Sequence, residues 1–190
     1  MNQKARSSTF PFRNLYLVVV PTQNRYYFRN FNKDHMSYNN PVPAALAVVR
    51  VRRTDGSLAL LGIVRKLTPA GGKAFPGGYV DEMETARAAA ARELWEETRL
   101  VTDASQWRLL DDRISAQNRL LIFCEFMFEI PEELLANFIP TKEASAVLCL
   151  TLDSDICFPN HAAVARAYLA QTTTHAYSKM QPKMDMSPEL

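Results

Sequence analysis

Apolar residues along this chain gather in short runs, and the runs change period. Asn14 to Pro21 contains LYLVVV, a run of β-branched and large apolar residues that predicts a strand. Tyr26, Tyr27 and Phe28 extend it into a hairpin; packing against a sheet is the first reading of these rings, stacking on a base the second. Pro43 to Arg53 reads PAALAVVRVRR and predicts a largely buried strand, Thr54-Asp55-Gly56 a turn, and Leu58 to Val64 the return strand. A short strand at Tyr79-Val80 leads into a helix from Glu82 or Met83 to about Arg99. Trp107 to Ile114 and Leu120 to Ile130 predict two strands around a turn at Ser115 to Asn118. Pro131 to Asn137 predicts a short helix with Pro at its first turn, and Ala146 to Leu152 a last strand. Asn160 caps a final helix, His161 to Ala170, whose Ala162, Val164, Ala165, Tyr168 and Leu169 form an apolar stripe.

Strand, strand, helix, strand, strand, helix is an α/β succession, and it predicts a mixed sheet covered by helices on both faces. Residues 1–42 then form an N-terminal extension, 43–171 the main domain, and 172–190, polar and rich in Thr, Ser, Pro and Lys, a flexible tail.

Composition narrows this little. The 190 residues are 47% hydrophobic with a formal net charge of +2. No basic block stands out, so a nucleic-acid partner is not expected. The longest apolar runs are far too short to span a bilayer, and MNQKARSSTF lacks the apolar core of a signal peptide. A cytoplasmic protein with no membrane partner is the expectation. Cys124, Cys149 and Cys157 fit neither a zinc motif nor a disulfide framework, and are read as buried, reduced thiols. His35, His161 and His175 have no partner at metal-ligand spacing and receive no chemical role.

The chemistry concentrates in Phe75 to Leu100, FPGGYVDEMETARAAAARELWEETRL. Gly77-Gly78 permits backbone angles that a side chain forbids. Ala86 to Ala91, ARAAAA, is a strong helix former. On that helix Glu93, Glu96 and Glu97 fall within an arc of roughly 100°. Like charges so close repel by a few tenths of a kcal/mol per pair. A purely structural helix has no need of that arrangement, whereas Mg²⁺ or Mn²⁺ prefers such hard oxygen ligands.

The same stretch resembles the Nudix hydrolases, whose box reads G-x5-E-x7-R-E-U-x-E-E-x-G-U. Here Gly78, Glu84, Arg92, Glu93, Leu94, Glu96, Glu97 and Leu100 occupy the box positions, and Arg99 stands where the family has Gly. That spacing is far more specific than a lone Gly-rich turn. The resemblance implies an α/β/α sandwich with a curved mixed sheet, and hydrolysis of a nucleoside diphosphate linked to a group X. ADP-ribose, NADH, a nucleotide sugar and a nucleoside triphosphate are all within that class. It implies Glu93, Glu96 and Glu97 as metal ligands, with an added oxygen from the Gly78 carbonyl or its neighbour Gly77. It implies Arg92 pairing with Glu84, and a catalytic base that is either a box Glu or Glu143 in the late loop TKEAS. Glu125, a charge inside an apolar strand, is a further candidate for a metal or base role. Arg52, Arg65 and Lys73 are candidates for substrate phosphates. A left-handed residue commonly ends a helix where the family has Gly, so Arg99 either takes that conformation or the helix runs on.

X is not named by the chain. The NADH-cleaving motif after the box is absent, and Ala116 and Gln117 stand where other members carry Pro or Tyr. Tyr38, Asn39, Asn40 and Pro41 are similar to the junction after the zinc ribbon of NADH-pyrophosphatase-like members, but no Cys precedes Cys124, so no ribbon zinc is expected. A homodimer is expected by analogy. The alternative is a non-catalytic nucleotide-binding or regulatory module on the same scaffold; the presence of all three glutamates favours the enzyme.

Overall fold

The computed structural model describes the backbone of residues 15–20, 25–30 and 39–180, and the side chains of 39–171. Two compact units divide the chain at residue 42. In the first, β1 (Leu15–Val20) and β2 (Arg25–Asn30) pair antiparallel, with Val18 opposite Tyr27. Tyr38, the first residue of the expected zinc-ribbon junction, lies outside the described residues, as do 181–190 of the expected tail.

The second unit is built on β3 (Val42–Arg52), whose central residues are fully buried. A strand buried on both faces reads as a continuous apolar run, which is why ALAVV does not alternate with polar residues. Around it lie β4 (Leu58–Arg65), β5 (Lys73–Ala74), β6 (Gly77–Tyr79), β7 (Trp107–Ile114), β8 (Arg119–Pro131) and β9 (Ala144–Leu150). The seven strands form a mixed sheet ordered β5-β4-β3-β8-β7, with β6 on β3 and β9 on β4. The helices α1 (Ala86–Thr98) and α2 (Pro159–Met180) cover its two faces. Ala45, Ala47, Val49 and Val51 share a core with Ala89, Ala90 and Leu94 of α1. The intervening Leu46 and Val48 share one with Val164, Ala165 and Leu169 of α2. This is the expected sandwich, and the small side chains on the α1 face let that helix approach closely.

β3 changes partner along its length. Arg50–Arg52 pairs with β4, whereas Ala44–Leu46 pairs with β6. The two glycines of β6 therefore sit where β4 and β3 have parted.

Several boundaries moved. The box helix starts at Ala86, not at Glu82 or Met83, because the Thr85 hydroxyl caps it by accepting from the Ala88 N–H and Met83 takes a φ of 62°. It ends as a family glycine would end it: Arg99 is left-handed, φ 67°, and its N–H donates to the Trp95 carbonyl. That conformation costs about 1 kcal/mol for a side chain, and the Arg99 guanidinium lies 4.8 Å from the Trp95 ring, which offsets part of it. The short helix expected at 131–137 is present as a 3₁₀-helix, Glu132–Asn137. β9 begins two residues earlier than expected, and α2 continues through Met180, past the expected end at Ala170. Cys124 is buried, and Cys149 and Cys157 are half-buried and free; burial pushes the thiols of Cys124 and Cys149 up to about 11. Among the described residues, no helix is long and apolar enough to cross a membrane.

Candidate active site

Where the strands part, a cleft of about 1180 Å³ opens. Its lining includes Gly77, Gly78, Arg92, Glu93, Glu96 and, from the loop before β9, Glu143. The two glycines are required for different reasons. A Cβ on Gly77 would come within 2.3 Å of the Ala45 carbonyl oxygen, and its φ is +155°. A Cβ on Gly78 would come within 2.3 Å of Glu93 Oε1. The first glycine lets β6 join β3; the second leaves room for a carboxylate against the backbone.

The last turns of α1 carry Glu93 and Glu96 into that space and Glu97 to a place behind Gly77, outside the cleft lining. Glu97 is 1% exposed, and its Oε2 accepts the Gly77 N–H at 2.8 Å. Burial, against that one hydrogen bond, pushes its carboxyl up to about 8; the charges of Glu93 and Glu143 push the same way. Glu93, 7% exposed, is also raised above the usual carboxylate range by burial, in spite of the Arg92 N–H bonded to Oε1 at 2.7 Å. Glu96 is half-exposed, 3.5 Å from Arg92.

Arg92 binds the pieces together. Its Nε and Nη2 grip both Glu84 oxygens at 3.0 Å, Nη1 reaches Glu93, and Nη2 also donates to the Tyr79 carbonyl at 2.9 Å. The bond from Arg92 holds Glu84 well below the usual carboxylate range. A fork of this kind ties α1 to the loop before it and to β6, which a lysine could not do.

The other candidate residues divide. Arg65, at the end of β4, lines the cleft; its Nη2 donates to the Thr68 carbonyl at 3.2 Å and its guanidinium lies 5.1 Å from the Phe158 ring. Arg52 is not brought there. It ends β3 far from Ala44 and is bonded through Nε and Nη2 to Glu129 Oε2 at 3.0 and 2.8 Å. Lys73 is not in the cleft lining; its carbonyl accepts the Cys157 N–H. Glu125 is buried elsewhere, with Arg108 and Tyr168 on its oxygens. Two cleft residues escaped the sequence reading. His161 lies against Phe75 and accepts its backbone N–H at Nδ1, and burial lowers it to about 4. Arg119 opens β8 and lies 5.4 Å from the Tyr79 ring. Neither carries a motif, although Arg119 immediately follows the turn read at Ser115 to Asn118.

Glu93, Glu96, Glu97 and Glu143 are the oxygen donors a hard divalent cation takes, and among the described residues no cation is hydrogen-bonded or ion-paired to Glu97, although the Arg65 charge acts on it. In kind they fit such an ion. Among the described residues, no three His, Cys, Asp or Glu side chains are yet gathered closely enough to hold one; Arg92 sits on Glu93 instead.

A model of the NUDIX domain matches residues 41–153. No curated protein matches the chain. Among solved structures it is similar to the NUDIX domain of Shewanella oneidensis NrtR complexed with ADP ribose, at 19% identity and TM-score 0.55 over 72% of this chain and 90% of that one. It is similar to a C. elegans Ap4A hydrolase in a binary complex, at 17% identity and TM-score 0.51 over 71% and 98%. A MutT/nudix family protein from Enterococcus faecalis is 22% identical with TM-score 0.52 over 62% of this chain, which spans 46% of that protein. At these identities the likeness to the solved structures is one of fold.

Proposed function

The chain belongs to the Nudix hydrolase family, and from that premise we propose that it cleaves the pyrophosphate of a nucleoside diphosphate linked to X, with Mg²⁺ or Mn²⁺ as cofactor. The observation that carries this reading is Glu97, an acid buried directly behind the cleft-lining Gly77, whose N–H it accepts, with Glu93 and Glu143 of the lining acting on its carboxyl. A bound divalent cation would neutralise the phosphates and acidify a water there. Glu93, Glu96 and Glu97, with the Gly78 carbonyl, are the assigned ligands.

The chain's own groups do the rest. Arg92 is a positioning residue, holding Glu84, Glu93 and the Tyr79 carbonyl in one arrangement. Glu143 is assigned as base: it takes the proton as water oxygen bonds to phosphorus and the bond to the leaving phosphate oxygen breaks. Its backbone is held by the Lys66 N–H at 2.7 Å, so the carboxylate starts from a fixed point at the cleft. Arg65 faces the departing charge. In-line placement of this sort accounts for much of the barrier lowering in phosphoryl transfer.

The structures similar in fold include one with ADP ribose and one of an Ap4A hydrolase, and ADP ribose and Ap4A are both of the proposed substrate class. The test is a panel of ADP-ribose, NADH, nucleotide sugars, nucleoside triphosphates and dinucleoside polyphosphates. We expect nucleoside monophosphate release with Mg²⁺ that stops on adding EDTA. Binding of these compounds without any turnover would support the non-catalytic module instead.

A further inference from the structure

The cleft holds three arginines that matter, and two of them are already engaged. Arg92 is bonded to Glu84 and Glu93, and Arg65 donates to the Thr68 carbonyl. Arg119 is different. Asp81, Glu93, Glu96 and Glu143 share its cleft, yet among the described residues its guanidinium pairs with none of them and donates to no carbonyl. It rests on the Tyr79 ring at 5.4 Å.

Both members of that pair are held from behind. The Tyr79 carbonyl accepts from Arg92, and its strand pairs with Ala44. Arg119 is locked by a tight turn: its N–H donates to Ser115 Oγ, its carbonyl accepts the Ser115 N–H, and the Asn118 N–H donates to the Ser115 carbonyl. A guanidinium lying on a ring spends its face on the ring and keeps the N–H edge for other acceptors. The result is a cation with a fixed backbone, a ring beneath it and unspent donors, so part of the ordering cost of binding is met in advance.

Position decides what it binds. Gly78, against which Glu93 packs, directly precedes Tyr79. In a strand, neighbouring side chains point to opposite faces. The ring and Arg119 are thus one residue removed from the carboxylate centre and directed away from it. We propose that Arg119, backed by Tyr79, is a specificity-determining residue that binds an anionic oxygen on X, a phosphate in the first instance. The preferred substrate then carries negative charge beyond the diphosphate that is cleaved. This rests on the hydrolase reading above for its turnover arm alone.

The experiment compares wild type with R119A and R119K. Substrates are a matched pair differing by one carboxylate, UDP-glucose and UDP-glucuronic acid, together with a nucleoside triphosphate. We expect R119A to lower the kcat/KM ratio of anionic-X to neutral-X substrates by roughly 10-fold or more, chiefly through KM, with R119K recovering part of it. A larger fall for the triphosphate identifies phosphate as the natural group, and a larger fall for the glucuronate a carboxylate. An unchanged ratio overturns the proposal. Calorimetry with the α,β-methylene analogues of ATP and ADP gives an arm that needs no turnover. R119A should weaken the former about 10-fold more than the latter, and equal weakening, or no binding of either by wild type, also overturns it. Failure of wild type to hydrolyse any substrate, with this difference in binding intact, removes the hydrolase reading and leaves Arg119 in place.

Discussion

Two glutamates in this molecule are equally hidden and differently equipped. Glu97 on α1 and Glu125 on β8 are each 1% exposed. Glu125 lies opposite Arg108 across the β7–β8 pair, and receives its Nε at 2.7 Å and Nη2 at 2.6 Å. The Tyr168 hydroxyl of α2 donates to the other oxygen at 2.5 Å, and Arg50 is 3.8 Å away. Glu97 has one backbone N–H, and its nearest charges are mostly of its own sign. Burial by itself is therefore no sign of function. A buried charge with its counter-charge built in is structural. One without it keeps its proton instead, as burial pushes the Glu97 carboxyl up to about 8, and the proposed metal would restore its charge.

The comparison is most directly broken at Glu97. E97Q keeps an acceptor for the Gly77 N–H and removes the group that can ionise to hold a metal. Hydrolysis should fall by at least about 10²-fold, close to 2.7 kcal/mol of barrier, while metal-free protein melts no lower than the parent. A variant with near-parental rate, or one that melts well below it, would place Glu97 with Glu125 among the structural acids. The reciprocal change, E125Q, should cost roughly 2 kcal/mol of stability through weakened bonds to Arg108 and Tyr168. Arg108 is 64% exposed and can be rehydrated, which keeps the loss below that of a fully buried pair. Urea midpoints measure it, and the rate per folded molecule should stay within about two-fold. A large drop in rate with unchanged stability would reverse the two roles.

His161 sharpens the contrast from the basic side. Burial lowers it to about 4, against 6.5 in the unfolded chain. Between those values the unfolded state binds a proton that the folded state refuses, so stability falls as pH drops from 6.5 toward 4. The slope rises from about half of 1.4 kcal/mol per pH unit at pH 6.5 toward that value, about 1.6 kcal/mol between pH 6.5 and 5. Unfolding midpoints of the parent and H161N across that range should converge as pH falls. Parallel curves would mean that the imidazole takes up its proton without unfolding the chain.

The parts of the site legible in the sequence were those within one element. Gly77, Gly78, Glu84, Arg92, Glu93, Glu96 and Glu97 lie within one turn-and-helix stretch, where spacing converts directly into direction. The Glu84–Arg92 pairing was implied by the family resemblance of that stretch, whereas the end of the helix was left open between two forms until the fold set Arg99 left-handed. The candidate phosphate residues lay on other elements. Of these, Arg65 reached the cleft, while Arg52 went to Glu129 at the far end of the same strand that supplies Ala44 and Leu46. A strand of eleven residues is about 36 Å long, so belonging to the right strand says little about belonging to the right site. Glu125 read as an unmatched charge because Arg108 and Tyr168, its partners, are distant in sequence.

What the sequence determined by itself was the family, the order of strands and helices, and the acidic face of α1, because these follow from local spacing and from side chains that must be buried. The tertiary structure alone decided which cations those acids would meet. Arg92 was placed on Glu93 and Glu84, Arg108 on Glu125, and Arg119 on a tyrosine ring with its donors unspent. The reason is range: backbone propensity acts over a few residues, whereas the energy of a buried charge depends on every group within several ångströms, whichever part of the chain supplies it.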